Sequence, residues 1–408
     1  MTCRMWRTFL LVFLAVLSVR AQTPSSSLAP HTIHLAKGNT LSLNLPAEFE
    51  ISAAAEGLHR VRFLTQAPDG RIFATDMHDL SDNSLGAVYI LDGFDTRTGK
   101  FARVQLYLQH LRNPNNVAFY RDASGQQWLY LPLTDRLLRY RFQNGDAAPS
   151  SAPEVLATYP DYGLSYKYGG WHLTRTVAFG QENGADKLYV AVGSSCNECE
   201  EKEEIRATLS VMDPDGRNQH ILARGLRNAV GLRYVSGTLY GTNMGADHLG
   251  DNAPDDTMFA LDSNQRSDGQ NRNYGWPYCY FQQGKVLPDP TFAASPKRVD
   301  CAQVPVPYNT FAAHGAPLGL EYFDGTAQSP ALRDSFLVAL HGGSKLSLRR
   351  GYSLVRVKAG SPPEDFLTGF LKNGKVLGRP CGILRLGPDA FLFTDDHSGV
   401  IYYVRRRG

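Results

Sequence analysis

A handful of short stretches carry the side chains able to do chemistry. His172 stands in GGWHLTRTVAFG (169–180), between a glycine-rich turn and an apolar run. Arg227 and Asn228 lie in GLRNAVGL (225–232), Arg379 in GRPCGI (378–383), His341 in VALHGG (338–343), and Arg112, Asn113 and Asn115 in LRNPNNVAF (111–119). An imidazole titrates near neutral pH. Arginine and asparagine offer the donors that an anionic, planar ligand would engage. Taken singly, such residues also cap turns or face solvent, and both readings stay open until a fold brings them together. NMGADHLGDNAPDDTMFALD (243–262) adds Asp247, Asp251, Asp255, Asp256 and Asp262. Carboxylates and backbone carbonyls of such a loop suit a hard cation, and an ordinary solvated acidic loop has the same composition. It is not an EF-hand, because counting from Asp251 the third position is Ala253 and the sixth is Asp256 rather than glycine.

The elements that must position these residues recur along the chain. An apolar alternation, a tight turn and a second short strand appear in VRFLTQAPDGRIFATD (61–76) and NVAFYRDASGQQWLYLPLTD (116–135). They appear again in RTVAFGQENGADKLYVAVGS (175–194), NAVGLRYVSGTLYGTNMG (228–245), 318–342 and GILRLGPDAFLFTDD (382–396), making six copies. The turns carry PDG, SG, NG or DG, residues suited to tight hairpins. GAVYILD (86–92), RLLRYRF (136–142) and GVIYYV (399–404) read as third strands. No copy is followed by a long amphipathic helix pattern, which argues against parallel βαβ units. Six small units that cannot each bury their own face predict an all-β, six-bladed β-propeller with mainly four-stranded antiparallel blades. A large β-sandwich or two stacked barrels is the weaker alternative. In a propeller the residues just ahead of each inner strand crowd around one mouth of the axial channel, so His172 and the arginines would converge there.

The first residues read differently from the rest. MTCRMWR is basic, TFLLVFLAVLSV is apolar over twelve residues, and Val19 and Ala21 offer small residues for cleavage. That pattern predicts a signal peptide over 1–21. A span needs roughly twenty apolar residues, so no membrane span is expected once the signal is cleaved. Residues 22–44 are expected as an extension or linker and 45–408 as the propeller. Arg4, Arg7 and Arg20 account for the whole formal charge of +3, which leaves nothing that points to nucleic acid. Export places the chain in the periplasm or outside the cell. In an oxidising compartment, Cys196–Cys199 and Cys279–Cys301 are expected to pair, leaving Cys381 free. Zinc is a poor rival with a single CxxC, and Glu200 stands where a haem-binding CxxCH needs histidine. No G-x-S-x-G, Walker A or G-x-G-x-x-G sequence is present.

GLRNAVGL, the acidic loop, NYGWPYC (273–279), APLGLEYF (316–323) and GRPCGILRLGPDAFLFTDDHSGVIYYV (378–404) resemble the glucose/sorbosone dehydrogenase family. SSCNECEE (194–201) and the later cysteine pair look most like its sorbosone dehydrogenase branch. The resemblance covers roughly 45–405. It implies a propeller that uses pyrroloquinoline quinone and calcium to oxidise an aldose or sugar aldehyde, with electrons leaving to an external cytochrome or quinone. By that resemblance His172 is the general base, Arg227 and Asn228 meet the quinone oxygen where charge develops, and Arg379 pairs with a cofactor carboxylate. His341 takes the place of a cofactor lysine. The Gly245 and Ala246 carbonyls would ligate calcium, and Asp255 and Asp256 a second, structural calcium. Four positions depart from the family pattern: Trp171 for aspartate, Ala246 for proline, His341 for lysine and Cys381 for a second arginine. Two other readings stand beside the dehydrogenase: a non-catalytic carbohydrate-binding propeller, and a calcium-dependent propeller lactonase, which is disfavoured because the acids cluster in one loop.

Overall fold

The computed structural model describes residues 27–160, 172–261 and 272–408; the signal-peptide expectation, Trp171 and Asp262 lie outside the described residues. Six sheets form the six blades of a β-propeller, each with four antiparallel strands. The first two strands of every blade coincide with one of the sequence repeats. Blade one runs Val61–Gln66, Ile72–Asp76, Gly86–Asp95 and Lys100–Leu111, and blade three runs Arg175–Glu182, Ala185–Val192, Thr208–Met212 and His220–Arg224. Blade six contains Pro380–Gly387, Ala390–Asp395 and Val400–Arg406, and its fourth strand is Phe49–Ala55 from the other end of the chain.

The core is a ring of wedges between blades. Phe73, Val88 and Leu129 pack between blades one and two, Tyr130, Val177 and Val190 between two and three, and Met258, Leu320 and Val338 between four and five. Each sheet has two apolar faces and is stable only between neighbours, which is why the repeat, and no single copy, is the folding unit. A hairpin of Leu28–His34 and Thr40–Pro46 adds Ile33, Leu41, Leu43 and Leu45 to the wedge between blades five and six. The extension expected up to residue 44 is thus packed against the propeller over its described part.

A recurring Thr-Asp/Asn pair locks blades together and sets the mouth. Thr75, Thr242 and Thr394 are the last residues but one of the second strands of blades one, four and six. Each hydroxyl accepts the N–H of its own inner strand, from Phe63, Gly231 and Gly382. Each then donates to a carbonyl of the next blade: Asn115, Leu318 and Arg62, at 2.6, 2.7 and 2.6 Å. The next residue, Asp76, Asn243 or Asp395, accepts the N–H of Arg60, Asn228 or Arg379 at 2.9, 3.0 and 2.7 Å. These three residues therefore hold equivalent places at the entrance to their inner strands. Gly231 is required at the blade four contact, since a Cβ there would lie 2.1 Å from the Leu318 carbonyl. Thr242→Val keeps the shape and removes the hydroxyl, leaving two buried backbone groups without partners. A loss of about 1–3 kcal/mol is expected, with an unchanged denaturant slope, in equilibrium unfolding.

Both expected disulfides form, Cys196–Cys199 and Cys279–Cys301, and Cys381 is a buried free thiol. The second disulfide belongs to an insertion between the third and fourth strands of blade four. Arg272–Asn273 adds a short parallel strand to blade three, and the NYGWPYC segment then climbs between blades three and four to the mouth.

Candidate active site

His172 enters just ahead of the inner strand of blade three. Its Nδ1 lies 3.0 Å from the Ser194 carbonyl and 3.0 Å from Ser194 Oγ. The Ser194 hydroxyl proton is engaged, because Oγ donates to the Cys196 carbonyl at 2.6 Å. Nδ1 is therefore the donor, and Nε2 carries the ring's lone pair. Gly193 makes the close approach possible: a Cβ there would meet His172 Cβ at 2.6 Å and Asn228 Oδ1 at 2.7 Å. The same contacts place His172 and Asn228 side by side across blades three and four. Burial, and then the neighbouring Arg227, Arg175 and Arg206, hold the imidazole well below its usual range. The ring is neutral at neutral pH.

Arg227 is buried, and its guanidinium donates from Nε to the Asn197 carbonyl at 2.9 Å and from Nη2 to Asn197 Oδ1 at 2.8 Å. Asp247 pairs with it at 3.8 Å from Nη2. Asp247 in turn receives the His314 ring at 2.9 Å. Asn228 donates its side-chain amide to Met244 Sδ at 3.4 Å.

Across the mouth, Arg379 donates to the Gly342 carbonyl at 2.8 Å and stacks over the Tyr352 ring at 5.1 Å. It forms no ion pair with a carboxylate among the described residues. His341 has both ring nitrogens engaged by protein, Nε2 with Asp396 at 2.7 Å and Nδ1 facing Arg379 at 3.3 Å. Asp396 is completely buried and also meets Arg62 at 2.5 Å and Arg60 at 3.3 Å. Burial opposes its ionisation, but His341, Arg62 and Arg60 hold the carboxyl far below the usual carboxylate range. Arg62 continues the network through Asn115 to Thr176, joining the inner strands of blades one, two and three around the axis. Cys381 sits on that axis with Val230 and Leu318, and burial raises its thiol to about 12. Arg112 is held by Asp82 through two bonds of 2.8 and 2.6 Å.

The acidic loop is tied down by neighbouring blades. Asp251 accepts from Lys345 at 2.7 Å, and Asp255 accepts the Gln283 N–H at 2.8 Å. Asp256 accepts the N–H groups of Gly245 and Ala316 at 2.7 and 2.8 Å, and burial pushes its carboxyl up to about 6. Asp255 and Asp256 thus turn to different partners and do not share a face. The Gly245 and Ala246 carbonyls accept no hydrogen bond among the described residues.

Sequence reasoning placed His172, Arg227, Asn228 and Arg379 at the mouth because they stand within a few residues ahead of inner strands. It missed Arg60, although GLHRVRF stands ahead of FATD as GLRNAVGL stands ahead of YGTN. It missed Asn197, Trp276, His314 and Asp396 too; their roles exist only once blades are side by side.

The TrAA12-like family profile matches residues 47–369. The fold is similar to the holo form of the pyrroloquinoline quinone domain of a pyranose dehydrogenase from Coprinopsis cinerea, with 19% identity, TM-score 0.69, and 89% of this chain and 97% of that one covered. It is also similar to the calcium structure of a Trichoderma reesei family AA12 carbohydrate-active enzyme, with 16% identity, TM-score 0.71 and coverage of 95% and 98%. The quinone-bound aldose sugar dehydrogenase of Streptomyces coelicolor superposes with 17% identity, TM-score 0.58 and coverage of 89% and 100%. An uncharacterised protein of Borreliella burgdorferi is 29% identical over 243 residues, a match that spans 57% of this chain and 60% of that protein's length.

Proposed function

The chain belongs to the TrAA12-like family, and from that premise we propose that it is a quinoprotein dehydrogenase that oxidises an aldose or a sugar aldehyde, sorbosone-like aldehydes included. The observation that carries the reading is the pairing, at one mouth, of a neutral imidazole whose tautomer is fixed with Arg227, whose ion pair with Asp247 is long at 3.8 Å, and Arg379, which has no carboxylate partner among the described residues. The residues fit the implied groups. Arg379 has no carboxylate partner among the described residues, and Arg60 and Arg62 share the one carboxylate of Asp396, at 3.3 and 2.5 Å, which leaves one of their two charges uncompensated there. The Gly245 and Ala246 carbonyls, without donors, suit a hard cation. When bound, pyrroloquinoline quinone supplies the two-electron acceptor and calcium the Lewis acidity that polarises it.

The chain's own residues do the rest. His172 Nε2 accepts the proton of the substrate hydroxyl, or of the hydrated aldehyde, while Nδ1–H keeps the ring oriented on Ser194. Arg227 and Asn228 place donors where negative charge develops. Arg379 would hold a carboxylate of the cofactor, and Arg60, which shares Asp396 with Arg62, would make up for the missing second arginine at Cys381. His341 acts through Arg379 and Asp396, between which it is fixed. Electrons leave to a separate cytochrome or quinone. The two disulfides support an exported, oxidising setting.

Reconstitution with pyrroloquinoline quinone and calcium tests the reading. A quinone spectrum that is reduced on adding sugar, with dye-linked turnover on an aldose or on sorbosone, is the expected result. A spectrum that no sugar changes would leave the carbohydrate-binding propeller as the better account. Calcium is tested separately. A ligand that binds only the folded state stabilises by about 2.7 kcal/mol at a hundred times its Kd, so chelator should lower the melting temperature and calcium restore it.

A further inference from the structure

The loop closed by Cys196 and Cys199 touches both halves of the site. Asn197, within that ring, presents two oxygens to one edge of Arg227: its carbonyl to Nε at 2.9 Å and its Oδ1 to Nη2 at 2.8 Å. The same carbonyl accepts Trp276 Nε1 at 3.2 Å, and the same Oδ1 accepts the Asp247 N–H at 2.9 Å. At the start of the loop, the Cys196 carbonyl takes the Ser194 hydroxyl that fixes the His172 ring. The disulfide packs on Ala246, Trp276 and Ala207, and residues 195–207 contain no strand.

We propose that Asn197 is the positioning residue for Arg227, and that the Cys196–Cys199 disulfide keeps Asn197 in place. The proposal rests on the dehydrogenase reading for its consequence in ligand binding, but the clamp itself is a property of the folded chain. The chemistry explains why an amide stands here. A carboxylate would grip the guanidinium through the same two bonds and cancel its charge. Asn197 orients the guanidinium and leaves the charge for an anionic ligand. With the disulfide open, four residues regain backbone freedom, and Asn197 is left to its hydrogen bonds with Arg227, Trp276, Asp247 and Glu198, which must then hold it against that added entropy.

Three variants test it: Asn197→Ala, Asn197→Asp, and Cys196→Ser with Cys199→Ser. Two readouts are used. The first is the Nη2–H resonance of Arg227 in arginine-labelled protein, whose partner is the Asn197 side chain, assigned by its loss in Arg227→Lys and needing no ligand. The second is the Kd for pyrroloquinoline quinone with calcium. The Arg227 resonance is expected to exchange slowly in wild type and in Asn197→Asp, and to broaden or vanish in the other two. Quinone affinity is expected to fall about tenfold or more in all three, as loss of bonds to a charged group or neutralisation of that charge requires. A small thiol reductant should weaken wild-type affinity well below the melting temperature and leave the double serine variant unchanged. Wild-type affinity together with an intact resonance in Asn197→Ala and the double serine variant would overturn the proposal. So would a resonance lost in Asn197→Asp with affinity retained. If wild type binds no quinone, the dehydrogenase reading falls, and the clamp stands or falls on the resonance alone. Should the double serine variant not fold, reductant on wild type gives the same comparison.

Discussion

His172→Gln is expected to fold, to retain the quinone with nearly wild-type affinity, and to turn over about two or more orders of magnitude more slowly. Glutamine can still bond to Ser194, and the cofactor contacts assigned above come from Arg227, Asn228, Arg379 and Arg60. What glutamine lacks is a basic nitrogen aimed at the substrate, and a positioned general base contributes about 10²–10⁴-fold. The pH profile gives a second signature. Burial and the surrounding arginines depress the His172 pKa, so in wild type the acid limb of kcat should lie below the pH near 6.5 of a free imidazole. Arg227→Ala removes one of those causes, and should shift that limb to higher pH while also weakening quinone retention. Equal turnover of His172→Gln and wild type would make the histidine a turn-capping residue. An acid limb that Arg227→Ala leaves in place would mean that the field at His172 has another source.

Asp396→Asn is expected to cost about 3–5 kcal/mol of stability, because it leaves the buried Arg62 charge uncompensated. The sign with pH follows from the depressed carboxyl. Its contribution is complete above the unfolded carboxylate pKa and is lost as pH falls through the lower folded value. Wild type should therefore keep this contribution at pH 5 and lose it in strong acid, whereas the variant should lack it throughout. Thermal or urea unfolding of both proteins at several pH values checks this, and a variant as stable as wild type at pH 7 would show that Arg62 is compensated elsewhere. Quinone affinity should fall as well, since Asp396 fixes the side of His341 opposite Arg379.

The inner parts of the blades were legible because two signals coincide there: alternation of apolar residues and turn residues at hairpin spacing. The outer strands carry weaker or misleading signals. Lys100–Leu111 alternates Val104, Leu106 and Leu108 with polar residues, yet Val104 and Leu106 are exposed and the buried residues are Tyr107 and Leu111, and Glu154–Thr158 has no buried residue. Nothing local marks Phe49–Ala55 as the last strand of blade six. The same division holds at the site. Residues at strand entrances could be placed by position in the repeat, as His172, Arg227 and Arg379 were. Partners that meet across blades could not. Asp396 follows Asp395 in TDD, yet Asp395 binds its own blade's N–H at Arg379 while Asp396 turns to Arg60 and Arg62 of blade one. His341 was expected to take a lysine's place, and spacing alone gives no hint of which groups its two ring nitrogens meet.

The fourth strand of blade six has a consequence for how the ring is made. Glu50 and Arg405 pair side by side in that sheet although they stand 355 residues apart in the chain. Synthesis delivers Glu50 355 residues before Arg405. Until Val400–Arg406 follows, Phe49–Ala55 has no partner strand in blade six and presents an open edge of unpaired N–H and C=O groups. Joining the two ends carries a loop-closure entropy of about 5 kcal/mol, repaid only when the wedges on both sides of the blade pack together. Closure is thus a late, all-or-none event of high contact order, expected to be slow compared with the formation of any one hairpin. Before it, five blades offer native-like surfaces to each other and to neighbouring chains, so the nascent polypeptide is most exposed to mispairing in the interval before Val400–Arg406 appears.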